Sequence, residues 1–140
     1  MQTKEESVRI FAENYVGCIA TVNEDGSPWA TPLHMASDDE FVYWFSSETE
    51  QHSKNHERDS RVSLALYAPE GGPHKEGIYL NGHVERLDES EWPSVGKLLE
   101  SRLGFRLATF DTGAAYRMPI GTYDEQKSTG NCWYFYTQKT

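Results

Sequence analysis

The chain has 140 residues, 37% hydrophobic and 25% charged, with four Trp, eight Tyr and six Phe. That is the length of one domain and the make-up of a folded one, which excludes a disordered chain and two independent cores. Thirteen Lys and Arg against 22 Asp and Glu give a formal charge of −9, and such a surface excludes nucleic acid and anionic membrane as expected partners.

The opening residues, Met1-Gln2-Thr3-Lys4-Glu5-Glu6, lack an apolar core, so no signal peptide is expected. No apolar run reaches the roughly 20 residues that span a bilayer, and cytoplasm is the expected compartment. Val8, Phe11, Ala12 and Tyr15 recur at helical spacing and predict a helix over 4–15, with Gly17 as its stop. Residues 18–22 read as a strand, and Asn23-Glu24-Asp25-Gly26-Ser27 as a hairpin turn, since Asp-Gly supplies positive φ. The partner strand, 28–35, carries Pro28 and Pro32. Each removes a ladder donor, which predicts an edge strand or a bulge near Pro32. Residues 37–40 make the next turn, and 41–45 are apolar throughout, as in a strand covered on both faces.

The stretch 43–62 then dominates. It reads as a strand end, a hydroxyl-rich turn, one short polar helix and a new strand. Ser46, Ser47, Thr49, His52, Ser53 and Lys54 crowd the helix opening. Free amides at a helix start, with hydroxyls and cations beside them, suit a phosphate. Trp44 and Phe45 stand next door to wall a flat ring, and together they read as a flavin mononucleotide (FMN) site. His52, Lys54, Arg58 and Arg61 supply local positive charge, diluted by Glu48, Glu50, Glu57 and Asp59. Plain helix capping also explains the hydroxyls. His52 and His56 are four apart, a metal-ligand spacing, but no Glu-x-x-His or Cys partner completes a set, so no metal is expected.

Val62, Leu64 and Leu66 alternate as a half-buried strand, and 69–75 is a Gly- and Pro-rich loop. Ile78, Leu80, Gly82 and Val84 define another strand, with Gly82 as a bulge or barrel bend. A helix follows over 89–103, opened by an Asp88/Glu91 capping box, with Trp92, Val95, Leu99 and Arg102 on one side. Strands over 114–120 and 131–137 flank a polar loop over 123–130. Cys18 and Cys132 fall in strands and read as small buried hydrophobes. Six or seven short strands with two or three short helices fit a closed or nearly closed antiparallel barrel, all-β or α+β in class, as a single domain over 1–140.

In order, helix, 17–28, Tyr43-Trp44-Phe45-Ser46-Ser47, His52-Ser53-Lys54-Asn55, 60–64 and 77–87 resemble the pyridoxamine 5'-phosphate oxidase-like flavoproteins, well over 5–90 and weakly over the last fifty residues. The resemblance implies a split β-barrel, a homodimer with FMN in the subunit interface and a small-molecule substrate. It places Trp29, Ala30 and Thr31 beside the flavin ring, and Phe45, Ser46 and Ser47 along the ribityl chain and phosphate. Gln51 and His52 fall where the oxidase has an Arg-Lys pair on the phosphate. Weaker FMN binding is therefore expected, or help from Ser53, Lys54 and backbone amides. The ending Asn131-Cys132-Trp133-Tyr134-Phe135-Tyr136-Thr137 lacks the oxidase's Arg-rich segment, so vitamin B6 phosphate oxidation is not expected. Trp133 is placed as a cap on the neighbouring subunit's flavin. The resemblance implies an FMN-dependent oxidoreductase using a reduced nicotinamide, with a non-catalytic flavin module, a deazaflavin, or haem on His34, His52, His74 or His83 as alternatives.

Overall fold

The computed structural model describes residues 9, 12, 13, 16–68, 74–107, 109–121 and 132–138. Of the predicted N-terminal helix, Arg9, Ala12 and Glu13 are helical; the rest of it, most of the loop over 69–75 and the loop over 123–130 lie outside the described residues. These residues form β1 (Val16–Val22), β2 (Pro28–His34), β3 (Ala36–Ser37), β4 (Phe41–Ser46), α1 (Gln51–Arg58), β5 (Arg61–Ala68), β6 (His74–His83), β7 (Glu85–Arg86), a 3-10 turn (Glu89–Glu91), α2 (Trp92–Leu103), α3 (Thr109–Thr112), β8 (Ala114–Pro119) and β9 (Cys132–Gln138).

All pairings are antiparallel, in a five-stranded sheet ordered β2-β1-β5-β6-β9 and a four-stranded sheet ordered β3-β4-β8-β7. Seven strands have six residues or more; β3 and β7 have two each, too few to display a period. The described strand count is thus nine, not six or seven. The chain changes sheet twice at single residues, Met35 between β2 and β3 and Val84 between β6 and β7. Gly82 pairs regularly with Val62, so the bend falls at Val84, whose amide donates to the Ser60 carbonyl (2.9 Å).

The β1–β2 turn forms as Asp-Gly requires: Gly26 has φ +89°, and Asp25 Oδ1 accepts from the Ser27 amide at 3.0 Å. β2 is an edge strand, which accommodates both prolines, and its register with β1 runs from Val16↔His34 to Val22↔Pro28 without a bulge. In the next turn Asp38 accepts from the Glu40 and Phe41 amides (2.8 Å each) and from the Tyr43 hydroxyl (2.7 Å). β4 is covered on both faces. Val42 and Trp44 join Ile19, Leu64, Leu80, Tyr116 and Met118 between the sheets, while Tyr43 and Phe45 pack under Val95, Leu99 and Leu103 of α2.

Gly17 is not a helix stop but a β1 residue facing this core. A Cβ there would lie 2.8 Å from Leu66 Cγ and 2.9 Å from Met35 Sδ. Lys75 and His74 belong to β6 rather than to a loop, because the strand keeps pairing with β9 out to His74↔Gln138. At α2 the cap is Asp88 accepting from the Ser90 amide (3.1 Å) instead of a reciprocal box with Glu91. Pro93 sits in the first turn of α2, where no amide partner is lost, and Leu103, not Arg102, completes the inward face. Cys18 is exposed: it alternates out of the core that Gly17 and Ile19 face.

Candidate functional site

α1 carries almost no apolar residue, yet His52, Ser53, Asn55 and His56 are all buried. Hydrogen bonds take the place of an apolar stripe on part of that face. Asn55 Nδ2 donates to Thr21 Oγ1 (3.0 Å) and Asn23 Oδ1 (2.8 Å), and Asn55 Oδ1 accepts from Gln51 Nε2 (2.9 Å). Arg58 donates to the Val22 carbonyl. α1 is thereby clamped onto the end of β1. His52 Nε2 and Ser46 Oγ are 2.8 Å apart. The His56 ring meets Tyr116 edge-on at 4.6 Å between centroids. Among the described residues Trp44 Nε1 and His56 Nε2 are buried with no hydrogen-bond partner. Burial lowers the His52 pKa, against a small opposing pull from Glu50. Burial and the neighbouring His52 bring His56 down to about 4. Both imidazoles are neutral at pH 7.

The first turn of α1 has Glu50 as its cap residue, and no side chain caps its amides. The Ser47 and Thr49 hydroxyls bond each other (2.8 Å) just before it. This helix start opens into a groove of about 440 Å³. Thr31, Pro32, Leu33 and His34 of β2 form one wall; Phe45, Ser46, Ser47, Glu50 and His52 form the other, with Leu107 closing the end. Five of the residues predicted for a flavin, Thr31, Phe45, Ser46, Ser47 and His52, therefore come together.

The others do not. Trp44 is 0% exposed in the core, stacked on Tyr116 at 6.3 Å, and offers no ring face to a ligand. Ser53 is buried beneath α1. Gln51 and Lys54 are exposed on α1, and Gln51 is occupied with Asn55. Trp29 (44% exposed) and Ala30 lie two residues and one residue before Thr31 on β2, outside the groove lining. The backbone of Trp133 pairs with Tyr79 on β9, the sheet edge opposite β2, and its side chain lies outside the described atoms. Pro32, Leu33 and Leu107 carry no chemical signal in the sequence, and Glu50 registers there only as a charge diluting the basic residues.

Among the described residues the expected positive notch does not form in the groove. Arg58 is committed to a carbonyl, Arg61 is forked on Asp59 (3.0 and 2.7 Å), and His52 is neutral. Arg86, on β7, pairs with Glu48 (2.6 Å) and Glu57 (3.5 Å). The hydroxyls of Thr31, Ser46 and Ser47 suit a polyol, and Pro32, Leu33, Phe45 and Leu107 suit an apolar ring system. Among the described residues no group of three or more His, Cys, Asp or Glu is placed to hold a metal ion.

The pyridoxamine 5'-phosphate oxidase family profile matches residues 3–115. The chain belongs to that family. Solved structures that share its fold at low identity include the following three. A conserved hypothetical protein from Mycobacterium tuberculosis is 18% identical with a TM-score of 0.76, over 96% of this chain and 85% of its own. An FAD-binding protein from Mesorhizobium loti is 20% identical with a TM-score of 0.70, over 86% and 91%. A haem-binding protein from Mycobacterium smegmatis is 20% identical with a TM-score of 0.68, over 84% of this chain and 51% of that one. No curated protein sequence matches the chain at a significant level. The oxidase-family profile spans β1 to the start of β8, so it includes every residue of the groove. No helix among the described residues is long and apolar enough to cross a membrane.

Proposed function

We propose that this member of the family binds a flavin, FMN, in the groove between β2 and the start of α1, and passes hydride or electrons between a reduced nicotinamide and a small acceptor. The convergence of Thr31, Phe45, Ser46, Ser47 and His52 on one groove, the residues that the family resemblance assigns to the cofactor, carries this reading. Ser46 and Ser47 would hold the ribityl hydroxyls, Thr31 would face the edge of the ring, and Pro32, Leu33, Phe45 and Leu107 would shield the ring from water. The flavin supplies the redox chemistry when bound; the chain supplies orientation and a dry wall. Yellow protein with flavin absorption, as purified or after reconstitution with FMN, is the expected result. Protein that stays colourless with FMN ends the proposal. Replacing Thr31 and Ser47 together by Ala is expected to weaken flavin binding severalfold.

The homodimer implied by the resemblance belongs to the same proposal. The outer face of the five-stranded sheet presents Val16 (50% exposed), Cys18 and Tyr79 (39% exposed) to solvent. A shallow, largely apolar depression of about 740 Å³ lies on it, past Ala20, Val22 and Ser63. The face runs out to β2 and so reaches the groove, which supports a flavin held where two subunits meet. Haem is the second reading, because His34 is exposed in the groove and one structural neighbour is a haem-binding protein. A Soret band on titration with hemin, without flavin absorption, would replace the first reading by this one.

A further inference from the structure

We infer that the groove selects a flavin by its uncharged parts and draws little from a terminal phosphate, so that riboflavin and FMN bind with closely similar affinity. This rests on the flavin reading above. Among the described residues of one subunit no Lys or Arg lines the groove, and the one carboxylate in that lining, Glu50, stands at the helix start where a phosphate would lie. His52 is 4% exposed, faces Ser46 Oγ and is held neutral by burial. Buried against Ser46, it is poorly placed to act as the cation that its position in the family order would require.

The nearby cations are committed elsewhere. Arg58 donates to the Val22 carbonyl, Arg61 is forked on Asp59, and Arg86 bridges Glu48 and Glu57. Lys54 is two residues beyond His52, about 200° around the helix, on the solvent face opposite the buried one. What the site offers a dianion is the uncapped first turn of α1, with Glu50 opposing it. What it offers the uncharged parts of a flavin is three neutral hydroxyls, Ser46 and Ser47 for the ribityl chain and Thr31 for the ring edge, which bind without regard to net charge.

The full chain is titrated with riboflavin and with FMN, followed by flavin fluorescence, at low and at high salt. Both are expected to bind, with dissociation constants within about fivefold of each other and little changed by salt, because no opposite-charge contact is screened. Two charge-assisted bonds to a phosphate would instead separate the two ligands by on the order of a hundredfold. FMN preferred at that level, with affinity falling as salt rises, overturns the inference and leaves the flavin reading standing. Failure of both ligands to bind removes both. A gain-of-function variant tests the cause: Glu50→Arg, in the groove lining at the helix start, is expected to favour FMN over riboflavin by about tenfold or more. An unchanged ratio in that variant would place the phosphate away from this helix start and overturn the inference.

Discussion

Asn55 holds α1 to the β1–β2 hairpin with both ends of its amide. Its donors reach Thr21 and Asn23, 34 and 32 residues earlier in the chain, and its oxygen takes Gln51 one turn back. All of this happens at 0% exposure, where an unmade bond is not replaced by water. Asn55→Ala is therefore expected to destabilise the fold by about 2–4 kcal/mol, each bond contributing roughly 1 kcal/mol net with further loss from stranded partners. Urea denaturation checks this, and a loss below about 0.5 kcal/mol would mean that α1 is held by something else. Gly17→Ala is the second residue-scale case. Its Cβ would meet the branch carbon of Leu66 at 2.8 Å, so an overpacking loss of about 1–3 kcal/mol is expected in the same measurement. Neither role is legible locally. Gly17 follows a helical pattern and reads as a stop, and the partners of Asn55 are decided by a hairpin that the sequence does not place beside α1.

At the scale of elements, legibility follows period and length. β4 reads correctly as doubly covered because its run is apolar throughout, and both the core between the sheets and α2 then claim a face. β3 and β7 leave no trace, since two residues have no alternation to detect. α1 is legible only by its ends, because the residues it buries are polar. That same face makes α1 the acid-sensitive element. His56, 3% exposed, has its pKa lowered to about 4, against about 6.5 in the unfolded chain. Between those values the unfolded state binds the extra proton, so stability rises with pH there. It is complete above about pH 6.5, declines as pH falls toward 4, and its loss is complete below that, with a total of about 3 kcal/mol for His56. His52 adds in the same direction. The groups around the pair are Glu50 on the same helix and Trp44, Ser46 and Tyr116 from β4 and β8. Urea midpoints followed from pH 7 to 4 are expected to fall through this window, and to flatten in His56→Leu. An unchanged slope in that variant would assign the loss to carboxylates.

At the scale of the whole molecule, charge and association oppose each other. A chain of formal charge −9 repels its own copy, and the outer face of the five-stranded sheet must overcome that repulsion to pair. The exposed Val16, Cys18 and Tyr79 offer apolar contact, which salt does not weaken, while salt screens the repulsion between two acidic subunits. The proposed dimer is thus expected to tighten as ionic strength rises, the reverse of a charge-paired interface. Light scattering of the full chain should give twice 16.0 kDa at micromolar concentration, with any dissociation confined to low salt. Tyr79→Glu, which plants a further negative charge in the centre of the face opposite Ala65, is expected to yield monomers at the same concentration. If the flavin lies where two subunits meet, that variant also loses flavin, although Tyr79 is outside the groove lining. A monomeric Tyr79→Glu that keeps full flavin affinity would separate the groove from the interface and leave each subunit with a complete site of its own.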